Sequence, residues 1–214
     1  MELYTYFRSS AAYRVRIALN LKCLDYVPVP IHLTRDGGQH NHPDYALRNP
    51  QRLVPALEDD GRVITQSLAI IEYLDETHPV PPLLPRDPSG RARVRAIAQA
   101  IACDIHPLNN LRVLQYLTGK LGVPDEQKTA WYHHWIAEGM RGLEGLLAQD
   151  SRPGLYCHGD SPSLADCCLV PQVFNARRFG CDLTPYPVAV AIADRCAALP
   201  AFQKAAPSAQ PDAE

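Results

Sequence analysis

Four prolines fall within seven positions, at Pro79, Pro81, Pro82 and Pro85. Proline locks φ and has no N–H to donate, so this stretch can be neither a helix interior nor a central strand. It reads as a stiff linker and divides the chain. On its N-terminal side, short apolar runs alternate with turn residues. Beyond about residue 88 only helical periodicities occur. The sequence therefore predicts an α/β domain over 1–82 and an all-α domain over 88–214.

In the first half, residues 2–7 read as a strand and 11–22 as a helix, with Tyr13, Val15, Ile17, Ala18 and Leu19 as its apolar surface. Ser9 and Ser10 stand where that helix begins. Serine is a favoured cap because its hydroxyl satisfies a free backbone N–H. A helix start also carries partial positive charge and unpaired N–H groups, which suit an anion. Two readings stay open: Ser9 or Ser10 points its hydroxyl at a thiolate, or the pair is a plain cap beside surface arginines. Residues 26–31 read as a second, edge-like strand, completing a β-α-β unit with a parallel pair. Thr34 to His40 form a polar loop with two glycines, suited to lie over a ligand.

Pro55 sits just inside the start of the next short strand, so it must mark a beginning or a bend. A cis Val54–Pro55 bond would leave the Val54 backbone free to pair with an extended peptide ligand. A trans proline opening an ordinary strand fits the residues equally well. Asp59-Asp60-Gly61 is a turn signal, and the chain returns through Thr65 as a hairpin. Gln66 and Ser67 then open a second helix. Two helix starts facing one cleft suit a ligand with carboxylates and amides.

In the second half, residues 89–120 predict one long helix kinked at Pro107, with Asp104, His106, Asn109, Asn110 and Arg112 gathered at the kink. They face either a cleft or open water. Further helices are predicted over 125–149, after Ser163 and over 187–199, Ser163 and Asp166 forming a capping-box pattern. The tail from Ala205 is too rich in proline and alanine to be expected in regular structure.

Formal net charge is −2 and no lysine-rich block occurs, which argues against nucleic acid and anionic membrane as partners. No apolar run reaches membrane-spanning length, and the first residues lack the layout of a secretion signal. Seven cysteines, with no Cys-x-x-Cys, suggest the reduced thiols of a cytoplasmic protein. The eight histidines come with no matched ligand set, so no metal site is expected.

Ser9-Ser10-x-x-Tyr13-Arg14-Val15-Arg16-Ile17-Ala18-Leu19, Asn49-Pro50, Val54-Pro55, Gln66-Ser67-Leu68-Ala69-Ile70-Ile71-Glu72-Tyr73-Leu74 and Leu169-Val170-Pro171-Gln172-Val173 together resemble the signature of the zeta-class glutathione transferases. The resemblance runs nearly end to end, through Asp182-Leu183-Thr184-Pro185-Tyr186-Pro187, and is greatest to bacterial maleylacetoacetate isomerases. It implies a glutathione transferase fold, with a thioredoxin-like α/β domain before an all-α domain. It implies a homodimer that uses glutathione to isomerise maleylacetoacetate to fumarylacetoacetate in tyrosine and phenylalanine breakdown. The family's glutathione contacts fall on Ser9, Ser10 and Ala11, on His40, on Val54, on Gln66 and Ser67, on His106, and on Asn110, Leu111 and Arg112. The family often has cysteine where this chain has Ala11, which favours a serine hydroxyl as the thiolate's partner. His106 stands where some relatives carry glutamine.

The implied substrate has a double bond conjugated to a carbonyl. A thiolate adds to the alkene carbon, the resulting single bond rotates, and the enolate expels the thiolate with the bond now trans. A free thiol, with a pKa of about 8.5, is only a few per cent ionised at pH 7, so the site must stabilise the anion. The substrate is a dianion, and Arg8 and Arg178, with Arg112 behind them, are the candidate carboxylate forks. An isomerase of the shorter maleylpyruvate would use the same chemistry. Leu111 beside Arg112 leans toward the longer substrate. A binding module without turnover, or a transferase or dehalogenase acting on small electrophiles, are the other readings. The intact Ser9-Ser10 and Gln66-Ser67 pairs favour turnover.

Overall fold

β1 (Glu2–Thr5) is the strand on which the first unit is assembled. The computed structural model describes residues 1–149 and 154–214 and divides them into two units, Met1–Leu84 with Ala197–Glu214, and Pro85–Cys196. In the first unit β1 is followed by α1 (Ser10–Leu21), β2 (Val27–Pro30), α2 (Pro43–Arg48), β3 (Ala56–Asp59), β4 (Arg62–Thr65) and α3 (Ser67–Thr77). The sheet order is β2-β1-β3-β4, with β1 parallel to β2 and antiparallel to β3, and β3 antiparallel to β4. β2, with Pro28 and Pro30, lies at an edge, where a strand tolerates missing donors.

Alternation along β1 sorts its side chains between two faces. Tyr4 joins Tyr6, Phe7, Tyr45, Val54 and Ala56 in one apolar cluster. Thr5 turns the other way and its Oγ1 accepts from Arg16 of α1. Every residue of α1 from Ala12 to Leu19 is buried, as befits a helix that is apolar nearly all round. Arg14 and Arg16 are therefore not surface arginines: they are 2% and 0% exposed. α2, opened by Pro43 at a position that needs no N–H, has no counterpart in the sequence reading.

The segment Ala197–Glu214 packs with the first unit, so the sequence assignment of all of 88–214 to one helical domain does not hold for its end. α9 (Pro200–Ala205) has no counterpart in the sequence reading, and a 3₁₀ turn (Pro207–Ala209) lies within the tail expected to be irregular. Pro200 and Pro207 each sit in the first turn of their helix, where proline is at home. α9 packs on α1: Phe202 is fully buried, Asn20 Nδ2 donates to the Ala201 carbonyl at 2.9 Å, and Arg16 Nε to that of Ala205 at 3.0 Å. The proline-rich stretch is tied down by buried Lys22, whose Nζ donates to the His78 and Pro81 carbonyls and pairs with Asp75 at 2.7 Å.

The second unit is helical: α4 (Pro88–Gln99), a π segment (Ala100–Ile105), a 3₁₀ turn (His106–Asn109), α5 (Leu111–Gly119), α6 (Asp125–Ala148), α7 (Leu164–Arg178) and α8 (Pro187–Ala197). The single kinked helix predicted over 89–120 is instead broken. Pro107 removes a donor, the helix changes its winding on both sides, and Asn110 is extended (φ −66°, ψ 147°). Gly139 of α6 is required where the π segment approaches, since a Cβ there would overlap Ile105 Cγ1 and Cδ1. At the start of α7, buried Asp166 completes the capping box with Ser163. All seven cysteines are free. Among the described residues no helix is long and apolar enough to cross a membrane.

Candidate active site

Four chain segments leave the same end of the first unit's sheet. Thr5 pairs with Pro30 in the parallel ladder, so the segment after β1 and the loop after β2 emerge together. Tyr4 opposes Ala56, and Ala56 opposes Thr65, so the entry to β3 and the exit from β4 lie at that end too. This topology gathers Ser9, Ser10 and Ala11, the loop bearing His40, Val54, and the Gln66-Ser67 pair.

Ser9 is the N-cap of α1, with extended backbone (φ −69°, ψ 117°), and its Oγ accepts from Ala12 N at 3.2 Å. A hydroxyl that accepts keeps its own hydrogen to donate. Ser10 is the first helical residue, half-buried like Ser9. Ala11 contributes backbone only. Just before them, exposed Arg8 folds back on its own segment. Its Nε and Nη2 donate to Tyr6 Oη at 3.3 and 3.0 Å, and its guanidinium carbon stands 4.8 Å from the Phe7 ring centre.

The Val54–Pro55 bond is cis. Val54 is buried, and the preceding Leu53 carbonyl accepts from Tyr45 Oη at 2.6 Å and Asn49 Nδ2 at 2.7 Å. Gln66 holds a positive φ of 69°, a conformation costing a non-glycine residue roughly 1–3 kcal/mol and kept only where surroundings impose it. Its Nε2 donates to Gln51 Oε1 at 2.8 Å. Ser67, at the first position of α3, is 6% exposed and its Oγ accepts from Arg14 Nη1 at 3.2 Å.

His40 lies in a 3₁₀ turn (Gln39–Asn41). Its ring packs on Gly38, where φ is 91° and a Cβ would overlap His40 Cε1 and meet the Leu33 carbonyl at 2.8 Å. Only glycine leaves that space. Burial pulls the His40 pKa below its ordinary value, with Arg52 and His42 adding repulsion, so the imidazole is neutral at pH 7. Its Nδ1 is buried and makes no hydrogen bond within the described residues.

The second unit carries the remaining candidates. His106, Asn110, Leu111 and Arg112 fall at the break between the π segment and α5. The Asn110 side chain is already engaged in the fold, since its Oδ1 caps α5 by accepting from Arg112 N at 3.2 Å. Arg112 is exposed. Arg178 ends α7, exposed, with its guanidinium carbon 4.6 Å from the Phe179 ring centre. Residues that sequence reasoning passed over include Arg14, which braces Ser67, and Gln51, which holds Gln66. The signal for Arg14 was its place on a helix flanked by apolar residues on every side.

A family model for the N-terminal domain of glutathione S-transferases matches residues 3–82. A probable maleylacetoacetate isomerase of Vibrio cholerae is 56% identical over 211 residues, covering 99% of this chain and 97% of that one. A solved maleyl pyruvate isomerase, a bacterial glutathione S-transferase in the zeta class, is 49% identical with a TM-score of 0.97 over 100% of both chains. A maleylacetoacetate isomerase of Anaeromyxobacter dehalogenans 2CP-1, solved with dicarboxyethyl glutathione and citrate in its active site, is 44% identical with a TM-score of 0.87, over 100% of this chain and 97% of that one.

A small mixed sheet with its helix starts gathered at one end, followed by a helical unit, defines a glutathione transferase. Identity sustained over the whole length narrows the class: the chain belongs to the zeta-class family that includes the maleylacetoacetate and maleylpyruvate isomerases.

Proposed function

We propose that this chain is a glutathione-dependent isomerase that converts maleylacetoacetate to fumarylacetoacetate. The observation that carries the reading is the start of α1, where Ser9 Oγ accepts from Ala12 N and keeps its hydrogen for an anion. Glutathione is the cofactor: when bound it supplies a thiolate that adds reversibly to the conjugated double bond, freeing it to rotate. The donor set fits a tripeptide with carboxylates. Ser67 Oγ accepts from Arg14, so its own hydrogen is left for a carboxylate, and the first N–H groups of α3 carry partial positive charge. Val54 supplies backbone, and Gln66, Ser10, Ala11 and His40 line the same end of the sheet. The dicarboxyethyl glutathione in the relative from A. dehalogenans supports the chemistry, being what a glutathione thiol adding across a butenedioate would give.

The protein's part is to bind, orient and stabilise charge. Ser9, with Ser10 beside it, donates toward the sulfur, and the α1 start adds a field of about 0.3–1 kcal/mol favouring the anion. Arg8, Arg178 and Arg112 are the candidate forks for the substrate's carboxylates. His106, Asn110 and Leu111 are further candidate contacts for glutathione. The active form is a cytoplasmic homodimer.

A second reading, isomerisation of maleylpyruvate, is favoured by the 0.97 TM-score to the solved maleyl pyruvate isomerase. Leu111, apolar beside Arg112, favours the longer substrate. Loss of absorbance of each compound, followed with and without glutathione, separates the two. Turnover of maleylacetoacetate only with glutathione is expected. Faster turnover of maleylpyruvate reverses the assignment, and no glutathione-dependent loss of either sinks both.

A further inference from the structure

The turn between β1 and α1 is held from within the molecule by two residues far apart in the chain. Phe7 N donates to Asp212 Oδ2 at 3.0 Å, across 205 positions of sequence. Its carbonyl accepts from Arg16 Nη2 at 2.9 Å. Both polar groups of one backbone residue are thus taken, one by the C-terminal segment and one by α1.

Arg16 does more than meet Phe7. It is fully buried, and its guanidinium donates to Thr5 Oγ1 at 3.0 Å, to the Tyr6 carbonyl at 3.3 Å and to the Ala205 carbonyl at 3.0 Å. These partners are neutral, so the cation is held by carbonyl and hydroxyl oxygens. Burial pulls its pKa down to about 10, and Asp212 is among the groups that oppose the fall. Arg16 therefore links three things: the end of β1, the turn after it and α9. Arg8 and Ser9 follow Phe7 directly. Ser9 N is in turn anchored on the Tyr6 carbonyl at 3.0 Å, the same oxygen that Arg16 contacts.

We infer that Asp212, with Arg16, is a positioning residue for the Tyr6–Ser9 turn: by gripping Phe7 at its N–H and its carbonyl, the pair sets where the Ser9 hydroxyl and Arg8 point. The inference rests on the reading that Ser9 faces the glutathione thiolate. The C-terminal segment then does more than cover α1. It supplies an acceptor without which the Phe7 N–H is left unsatisfied and the turn can rotate.

Asp212→Ala and Asp212→Asn are compared in the full-length protein. Asparagine keeps an oxygen that accepts the same N–H. Three measurements are made: amide exchange at Phe7 without ligand, the pH midpoint of thiolate absorbance with glutathione bound, and isomerase kcat and KM. Asp212→Ala is expected to speed Phe7 exchange about 10-fold or more while β1 amides stay protected. It should raise the thiolate midpoint by about half a pH unit or more, because a misplaced donor stabilises the anion less. Turnover number should fall about 10-fold with KM changing less than about 3-fold. Asp212→Asn should recover most of each loss. A merely structural role would lower the melting temperature of Asp212→Ala and speed Phe7 exchange without moving the thiolate midpoint or kcat, and that result overturns the inference.

Wild-type exchange and midpoint in Asp212→Ala overturn the inference, as does equal damage in Asp212→Asn. If wild-type protein shows no depressed thiolate midpoint, the Ser9 reading fails on its own, while Phe7 exchange still decides whether the grip exists.

Discussion

Arg14 reaches from α1 to the first residue of α3, where its Nη1 donates to Ser67 Oγ at 3.2 Å. Both side chains are buried. The helix start that the proposed function gives to a glutathione carboxylate is thus tied to the helix whose start the same reading gives to the sulfur. The bond also sets the direction of the Ser67 hydrogen, because an oxygen accepting from a cation donates elsewhere.

Ser67→Ala removes that hydroxyl and leaves a buried guanidinium short of an acceptor. Glutathione should bind about 10-fold more weakly, and stability should fall by about 1–3 kcal/mol. Titration calorimetry and urea melts of the unliganded protein measure the two separately. Unchanged affinity would remove Ser67 from the cofactor site.

Ser9→Ala should act differently. Losing the cap costs about 1 kcal/mol of stability. Losing a donor to an anion should lower kcat about 10- to 100-fold while glutathione affinity moves little. Ser10, inside the helix, carries no cap, so Ser10→Ala should leave stability nearly unchanged. An unaltered turnover number in Ser9→Ala would shift the thiolate's partner to Ser10 or to the helix end alone.

Ser9 was legible as a cap because a cap is a local signal: a serine, then apolar residues at helical spacing. Ser67 reads as a capping serine on the same signal but is the first residue of α3, with Gln66 at the cap position and the Ser67 hydroxyl turned to Arg14 instead. The parallel pair and the β3–β4 hairpin are local in the same sense. The burial of Arg16 is not, since it depends on oxygens of Thr5, Tyr6, Phe7 and Ala205 that only the folded chain assembles. The placement of Ala197–Glu214 with the first unit is unreadable for the same reason: its anchor is Phe202 against α1. Pro107 announced a disturbance, but whether a helix bends or breaks there depends on neighbours such as α6, which presents Gly139 to Ile105.

His40 makes a pH prediction whose sign follows from its surroundings. Its folded pKa lies below the ordinary value, chiefly through burial, with Arg52 and His42 contributing. As pH falls, the unfolded chain takes up a proton first, near about 6.5. The stability due to neutral His40 is therefore present above that pH and lost as pH drops through the lower folded value. Urea melts should show wild type losing more stability than His40→Gln between about pH 7.5 and 5.5. Parallel losses would mean that His40 is not the group responsible.

Asp166 separates folding from chemistry. Fully buried, it accepts from Cys157 N at 2.9 Å, Ser163 N at 2.8 Å and Ser163 Oγ at 2.8 Å. Asp166→Ala strands these donors and should destabilise the protein by about 2–4 kcal/mol. Turnover at a temperature where the variant remains folded should be within about 3-fold of wild type, because none of these partners belongs to the proposed site. A large loss of kcat in the folded variant would contradict that separation.

Arg178 tests the substrate side. It ends α7 with its guanidinium over the Phe179 ring, so the side chain is partly ordered before any ligand arrives. A fork held in this way suits a carboxylate, and a charge-assisted pair of this kind contributes roughly 1.5–3 kcal/mol. If it binds the substrate equally in ground and transition states, Arg178→Ala should raise KM for the dianion about 10- to 100-fold with kcat little changed. Glutathione affinity should stay at the wild-type value. Arg178→Lys keeps the charge but not the planar fork, and should recover only part of the loss. A wild-type KM in Arg178→Ala would exclude this residue from the substrate site and leave Arg8, which stands 4.0 Å from the Glu214 carboxylate, and Arg112 as the remaining candidates.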